Sequence, residues 1–552
     1  MKRLEFLALM ALLCCGIAAV VVVASPYAPV VGGVRAIEEL WEIEDTRQES
    51  EAPLVTALEN HGAPLAYDEN ENTFYCSLGL DHGEAWPEIK LTAPGAKGVS
   101  VCFSDDYAYD HCDEAIAEGY SYELMAYTDT QYAYFNIVFT GLPLIAIDAQ
   151  EEIGALDVPV SFSMGTADGG SLTGPARAHL RGDSGLVWTD KPGYRIEFTR
   201  EADGTGKASR EVPGFIETDA ILLLPMALDD TLMRDRLSWD MYALLSPHTQ
   251  SFGARRSQYV ELFVGGQYAG AYLMMEPLDV ARELAKSGSR AALTDSVYRS
   301  AVLAMEKDRP IVEDAKCNGW GYELFYAPDM QNGFRGIEGF FDVWTEEDDG
   351  AFARKAQEKI DIESFLRYLL FAQAAGLADN SGNNVFLWAH EENGRLVYRY
   401  KPWDMDRSWG IDAGYDYDYW FLLSVADRIL ALDVGGARGM ALAIWQEMKA
   451  RGFTEETAEA LVAQYTHELN DSGAALRNAL RWETDYAIVD GYDIVSYCRV
   501  RFPMLGRVFE TLAGSGESFD FLCGDLSTDD LIVRPITLNG TPLFGGETDE
   551  TP

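Results

Sequence analysis

The chain has 552 residues, enough for two or more domains with substantial cores. Its 48% hydrophobic and 12% aromatic content excludes a disordered protein, and 89 acidic against 43 basic residues leave a net charge of −46. A self-repelling surface of that sign disfavours nucleic acid and anionic membrane as partners and favours cations or basic proteins, although solubility alone explains many such biases.

Lys2-Arg3 precede an apolar run over residues 6–24, and Val22-Val23-Ala24 before Ser25 fits a secretory cleavage site. The same run is long enough to cross a bilayer, so residues 1–25 read as a signal peptide or an uncleaved membrane anchor. Either reading exports the remainder to the cell surface or beyond. Six cysteines follow, Cys76, Cys102, Cys112, Cys317, Cys498 and Cys523. They permit disulfides or stay as buried thiols, and their spacing matches no zinc motif.

Residues 26–51 are small, apolar and then acidic, and read as a linker. Over 52–150 the pattern is β, with strands expected at 88–91, 99–103, 121–127 and 132–140, as in a small β-sandwich module. The module is rich in tyrosine, including Tyr107, Tyr109, Tyr120, Tyr122, Tyr127, Tyr132 and Tyr134. A face of such rings suits a glycan or a peptide, but packing within and between sheets accounts for them better. Further strands are expected at 176–180, 193–198, 259–264 and 268–275, with a helix over 231–245. The stretch 290–350 reads as irregular and carries the acidic run Glu346-Glu347-Asp348-Asp349. A second acidic segment lies at 412–418, helical patterns dominate 422–512, and 511–552 forms a tail.

The most informative stretch is 361–410. Asp361 is placed to cap a helix whose buried face is Ile362, Phe365, Leu366, Leu369 and Leu370, and Gly376 sits near its end. A polar loop, 379–384, follows. Two β-branched and aromatic runs then flank Asn393-Gly394, the residues a type I′ hairpin turn requires. With those two at the turn, Asn384 lies opposite Trp403, beside Asp404. The hairpin thus gathers Asp379, Asn384, Asp404 and Asp406 into a carboxylate and amide cluster.

A strand-rich part, a helical part, an Asp-x4-Asn loop, a hairpin and a further Asp suggest phosphoryl transfer. That chemistry needs one carboxylate to orient and deprotonate a hydroxyl, and oxygen ligands for magnesium on the nucleotide phosphates. The plain alternative is that Asp379 and Asn384 satisfy loop backbone groups.

Several pieces together resemble the CotH (spore coat protein H) kinase family. They are Arg181-Gly182 followed by Lys191-Pro-Gly-Tyr194-Arg195, Asp230-Thr231-Leu-Met-Arg234, and Tyr259-Val-Glu-Leu-Phe-Val264 with Gly266 to Glu276. Asp379-Asn380-x3-Asn384 and Lys401-Pro-Trp-Asp404-Met-Asp406 complete the set. The resemblance implies an α+β fold, with a two-lobed protein-kinase-like domain over 155–510 behind the sandwich module. It also implies ATP- and Mg2+-dependent phosphorylation of serine or threonine on exported or spore-coat proteins, basic and serine-rich ones in particular.

Carried over, Asp379 would be the catalytic carboxylate, and Asn384, Asp404 and Asp406 metal ligands. Glu276 would lie near the adenine, Lys191 or Arg195 near the phosphates, and Arg181 would join the nucleotide-binding set. Arg234 would bind phosphate or, preferably, pair with an acidic residue. Where the family commonly shows Tyr-Lys-x-Lys, this chain has Tyr194-Arg195-Ile196-Glu197, so Glu197 reverses one charge. The competing reading is a catalytically inactive, kinase-like structural or adhesive surface protein, with glycan bound through the N-terminal module.

Overall fold

A computed structural model describes residues 31–81, 83–104, 111–182, 185–288, 290–301, 321–381, 383–411, 419–421 and 423–514, with short strands at Arg534–Pro535, Thr537–Leu538 and Thr541–Pro542. The apolar run 6–24, the Asp105-Asp106 loop, Tyr107, Tyr109, the acidic segment 412–418, Cys317, Cys523 and most of the tail lie outside the described residues. The fold is mixed α+β and divides into two compact units. One comprises the chain to Pro225 with Tyr259–Met274 and His467–Ile488; the other comprises Met226–Gln258, Met275–Thr466 and the chain from Val489 onward.

The first unit begins with helix α1 (Ile37–Thr46) and strand β1 (Gln48–Glu49). The described part of 26–51 is therefore not a plain linker, because Leu40 and Ile43 bury one side of α1 against Cys102 and Met125. This i, i+3 pair is too short a pattern to stand out in an acidic segment. Strands β2 (Glu59–Asn60), β3 (Ala63–Pro64), β4 (Ala66–Asp68), β5 (Thr73–Ser77), β6 (Leu91–Thr92) and β7 (Ser100–Phe103) follow. Helix α2 (Cys112–Ala117) then leads to β8 (Ser121–Tyr127) and β9 (Gln131–Thr140). The main sheet has the order β4-β5-β9-β8-β7, with β1 also on β9; both β1 and β5 run parallel to β9. A three-stranded sheet, β3-β2-β6, contributes Leu91, with Leu58 just before β2, to the same core as Phe135, Ile137 and Phe139 of β9. The module is thus two unequal sheets around one core.

Its tyrosines are largely structural. Tyr122 is buried against Tyr120 and Phe139, Tyr132 packs edge-on to Tyr134, and the Tyr134 hydroxyl donates to Glu44 at 2.8 Å. Cys76, Cys102 and Cys112 are buried free thiols here, as is Cys498 in the other unit.

Strands β10 (Leu144–Ala149), β11 (Val158–Gly165), β12 (Ser171–Arg181), β13 (Gly193–Phe198), β14 (Ala220–Leu224), β15 (Ser257–Val264) and β16 (Gln267–Met275) form a closed barrel in the order β10-β11-β12-β13-β14-β16-β15. Closure comes from β15 pairing parallel to β10, Leu144 opposite Glu261. The first barrel strand therefore falls inside the span assigned to the module from sequence. Alternate residues point inward, as the two-residue period of a strand demands: Ile145 and Ile147, Phe162 and Met164, Ile196 and Phe198, Tyr272 and Met274.

The helix Ala474–Trp482 belongs to this unit. Its Arg477 Nε and Nη2 donate to Glu261 at 2.8 and 2.9 Å, and the Tyr268 hydroxyl donates to the same carboxylate at 2.7 Å. Asn478 accepts from Lys191 Nζ at 2.8 Å.

In the second unit, helix α3 (Arg234–Ala243) precedes a four-stranded antiparallel sheet. Its strands are β17 (Ser296–Ala301), β18 (Tyr322–Tyr326), β19 (Asn383–Glu392) and β20 (Arg395–Pro402), in the order β18-β17-β19-β20. The stretch 290–350 thus supplies two strands rather than remaining irregular. Helix α4 (Ile362–Ala375) contacts β20 and the long helix α5 (Tyr492–Gly514). Among the described residues no helix is long and apolar enough to cross a membrane.

Candidate active site

The β19–β20 hairpin adopts the register its turn residues dictate. Val385 pairs with Pro402 and Glu392 with Arg395, while Asn393 (φ 53°) and Gly394 (φ 81°) both take the positive φ of a type I′ turn. Trp403 N–H consequently donates to Asn384 O at 3.1 Å, which sets Asn384 against the segment carrying Asp404 and Asp406.

Helix α4 delivers the other wall. Asp361 caps it by accepting from Ser364 N–H at 3.0 Å, and Gly376 ends it in the left-handed region at φ 69°. A short 3-10 turn, Asp379–Ser381, follows. Within it, buried Asn380 donates through Nδ2 to Asn384 O at 3.1 Å and Trp403 O at 2.6 Å, while its own carbonyl accepts from the Tyr368 hydroxyl at 3.1 Å. One amide therefore ties the loop after α4 to both ends of the hairpin. Asn384 Nδ2 donates to Asp379 Oδ2 at 2.7 Å, fixing how that carboxylate is turned.

Gly376 and Gly410 both approach Tyr497 of α5. A Cβ on Gly376 would come 2.5 Å from the Tyr497 hydroxyl oxygen, and one on Gly410 2.8 Å from its ring. Gly376→Ala should lower unfolding free energy by at least about 1–2 kcal/mol from the left-handed backbone alone, read from a denaturant midpoint with unchanged slope.

A third element completes the cluster. Asp229 accepts from Thr231, Met233 and Arg234 backbone N–H groups at 3.0, 2.9 and 2.8 Å and forms an ion pair with the Arg234 guanidinium. Arg234 therefore pairs with an acidic residue, and its Nε also donates to Ser408 O at 3.1 Å. Asp235, next along α3, accepts from Met405 N–H at 3.3 Å. The Asp406 carboxyl is pushed well above the usual carboxylate range, first by burial and then by the charges of Asp404, Asp235, Asp379 and Asp229. Four carboxylates thus bear on a fifth.

Asp229 and Asp235 were missing from the sequence reading of the site. They flank the Asp230-to-Arg234 motif, and only the folding of α3 against the segment 405–408 shows that they face Asp406.

Residues 178–492, more than half of the chain, match the sequence model of the CotH family, described as CotH kinase protein. The chain belongs to the CotH kinase family. No curated protein matches it. The span matched to the CotH kinase family contains all eight residues singled out from the sequence.

Of those eight, the structure brings Asp379, Asn384, Asp404 and Asp406 together. Glu276 also lies in the second unit, just past the point where the chain leaves the first, with its N–H donating to Arg256 O at 2.9 Å. Lys191, Arg195 and Arg181 belong to the barrel unit. Lys191 is 4% exposed; its ammonium donates to Ala271 O at 2.5 Å and Asn478 Oδ1 at 2.8 Å and lies over the Tyr272 ring. Burial pushes its pKa down to about 7. Its donors already meet protein acceptors, so as placed it is a buried barrel residue rather than a phosphate contact. Arg195 Nε donates to Glu197 at 2.9 Å, and Glu197 is also gripped by Arg177. The reversed charge at Glu197 is therefore neutralised on the barrel's own surface. Arg181 ends β12, opposite Gly193.

All donors in the carboxylate cluster are oxygens, the set suited to a hard divalent cation, and the buried like charge around Asp406 is what such a cation relieves. Among the described residues no three acidic, histidine or cysteine side chains converge into a ready-made metal cage.

Proposed function

We propose that this protein is an exported, ATP- and Mg2+-dependent kinase that phosphorylates serine or threonine of secreted, cell-surface or spore-coat proteins. The observation that carries this reading is the set of carboxylates around Asp406 beside the Asp379–Asn384 pair, in a chain of the CotH kinase family. In this reading the barrel with the helix Ala474–Trp482 is one lobe of a kinase-like domain and the second unit is the other.

Asp379 takes the proton of the acceptor hydroxyl as that oxygen bonds to phosphorus and the bond to the departing ADP breaks. Asn384 holds Asp379 in the orientation this transfer needs. Asn384, Asp404 and Asp406 would hold the magnesium ion, which when bound neutralises charge on the nucleotide phosphates. Asp229 and Asp235 add negative charge to the same site, and Asp229 with Arg234 shapes the segment before α3. Glu276 is assigned to the adenine side.

Substrate preference follows from charge. The acidic run 346–349 is less available than its sequence suggests, because Glu346 pairs with Lys355, Asp349 pairs with Arg428, and Asp348 caps a helix. Attraction of a basic, serine-rich chain therefore rests mainly on the net charge of −46.

Incubation with labelled ATP, magnesium and a Lys/Ser-rich peptide should label the peptide; no transfer to any serine or threonine substrate overturns the kinase reading. Raising salt should increase KM for that peptide, since screening weakens attraction between exposed charges. Salt-independent kinetics overturns the substrate preference alone.

A kinase-like scaffold without catalysis is the second reading. It is favoured by the state of Lys191, whose ammonium is turned to Ala271 and Asn478.

A further inference from the structure

Asn380 follows Asp379 in the short turn after α4 and is wholly buried within the second unit. Its Nδ2 donates to Asn384 O at 3.1 Å and to Trp403 O at 2.6 Å, which commits both side-chain protons. Its Oδ1 is buried with no hydrogen-bond partner among the described residues. Satisfying the loop backbone does not account for this. Asn384 O already accepts from Trp403 N–H at 3.1 Å, so that carbonyl is paired without Asn380. A desolvated, unpaired amide oxygen also counts against the side chain as a purely stabilising one.

The two carbonyls it holds belong to the backbone that carries the metal ligands assigned above. Asn384 is one of those ligands, and Trp403 immediately precedes another, Asp404. Asn384 and Asp404 both have φ of 53°, in the left-handed region that residues with a side chain seldom occupy. Backbone bent that way is kept so by contacts from outside, and the Asn380 amide bridges the two bends. Asn380 is itself anchored from α4, where the Tyr368 hydroxyl donates to its carbonyl at 3.1 Å. Asp379 therefore stands between two fixed points. One is Asn380, its neighbour in the chain; the other is Asn384, whose Nδ2 donates to Asp379 Oδ2 at 2.7 Å.

We propose that Asn380 is the positioning residue of this site: its amide sets the spacing between the base Asp379 and the metal ligands Asn384 and Asp404. The proposal rests on the phosphotransfer reading given above and adds a residue to it. Asn380 acts only through those three side chains. Their spacing matters for rate, since a misplacement of about 1 Å can cost roughly 10²-fold. One nitrogen that donates two protons to two carbonyls has no equivalent in aspartate, serine or leucine, which offer one donor or none.

The test has two arms on the whole protein, with the melting temperature recorded for every variant. In the first, the protein is titrated with terbium(III) in place of the divalent cation, without nucleotide, and the emission excited through tryptophan is read; the part lost in Asp404→Asn belongs to this site. In the second, transfer from labelled ATP to the Lys/Ser-rich peptide is followed across a magnesium titration. Asn380→Leu keeps the size of the side chain and removes both donors together with the unpaired oxygen. It should weaken terbium binding, raise the magnesium concentration for half-maximal rate and lower kcat by roughly 10²-fold. KM for the peptide and the folded fraction should stay as they were. Tyr368→Phe, which releases the Asn380 carbonyl but keeps the ring, should shift the same quantities by less. At saturating magnesium, Asn380→Leu added to Asp379→Asn should cost less rate than it costs alone, because the carboxylate it positions is already gone.

A loss of folded protein alone would scale the rate without moving the magnesium requirement or the terbium affinity. A folded Asn380→Leu protein with terbium affinity and magnesium requirement unmoved therefore overturns the proposal, whatever its rate. The full rate loss repeated in the Asp379→Asn background overturns it as well. If Asn380→Leu fails to fold, Tyr368→Phe decides: weaker terbium binding supports the proposal and unchanged binding overturns it. Absence of transfer by the original protein is a separate result. It overturns the kinase reading, and the terbium arm then decides whether Asn380 positions the metal ligands.

Discussion

Asp379→Asn should reduce phosphate transfer to a serine peptide by roughly 10²- to 10⁴-fold, the range a positioned general base contributes. The substitution is chosen to spare the fold. Asn384 Nδ2 donates to Asp379 Oδ2 at 2.7 Å, and an asparagine amide can present its carbonyl oxygen to the same donor. The loss should therefore fall on kcat, with KM for ATP and the melting temperature near their original values. Asp404→Asn should be comparably inactive for a different reason: it removes one charge from the proposed metal site, so part of its activity should return at high magnesium concentration. Full activity in Asp379→Asn removes Asp379 from the catalytic role. An Asp404→Asn enzyme with unchanged magnesium dependence removes Asp404 from the metal site.

The elements behind that prediction were the most legible in the sequence because they are local. Asn393 and Gly394 determine the turn, the turn determines the register, and the register brings Asn384 to Trp403. Asp361 and Gly376 mark both ends of α4 by capping chemistry alone. What sequence reasoning missed depends on long separations. Asp229 and Asp235 reach the environment of Asp406 only through the packing of α3, and nothing in their spacing announces it. The barrel closes through a parallel pairing of residues near 144 with residues near 261, for which no turn signal exists. Lys191 was expected near phosphate because of its motif. Its surroundings are set instead by Asn478, on a helix that returns to the barrel 287 residues later.

That returning helix carries the largest expected effect on stability. Arg477→Ala should destabilise the barrel unit by about 3–5 kcal/mol, the usual result of removing one partner of a buried ion pair. Glu261 is fully buried and accepts both Arg477 donors as well as the Tyr268 hydroxyl. Without the guanidinium it keeps one hydrogen bond and an uncompensated charge. Arg477 Nη2 also donates to Ser472 O at 2.6 Å, so the start of the helix loses an anchor too. Adding Glu261→Gln to Arg477→Ala should recover part of the loss, because the glutamine amide stays polar toward Tyr268 but carries no charge to desolvate. Thermal or denaturant unfolding of the single and double variants measures this directly. Equal stability of Arg477→Ala and the original protein would mean that water reaches Glu261 and that the helix Ala474–Trp482 is not held to the barrel by this pair. The catalytic variants provide the contrast: Asp379→Asn loses activity while keeping stability, and Arg477→Ala loses stability with no residue of the carboxylate cluster altered.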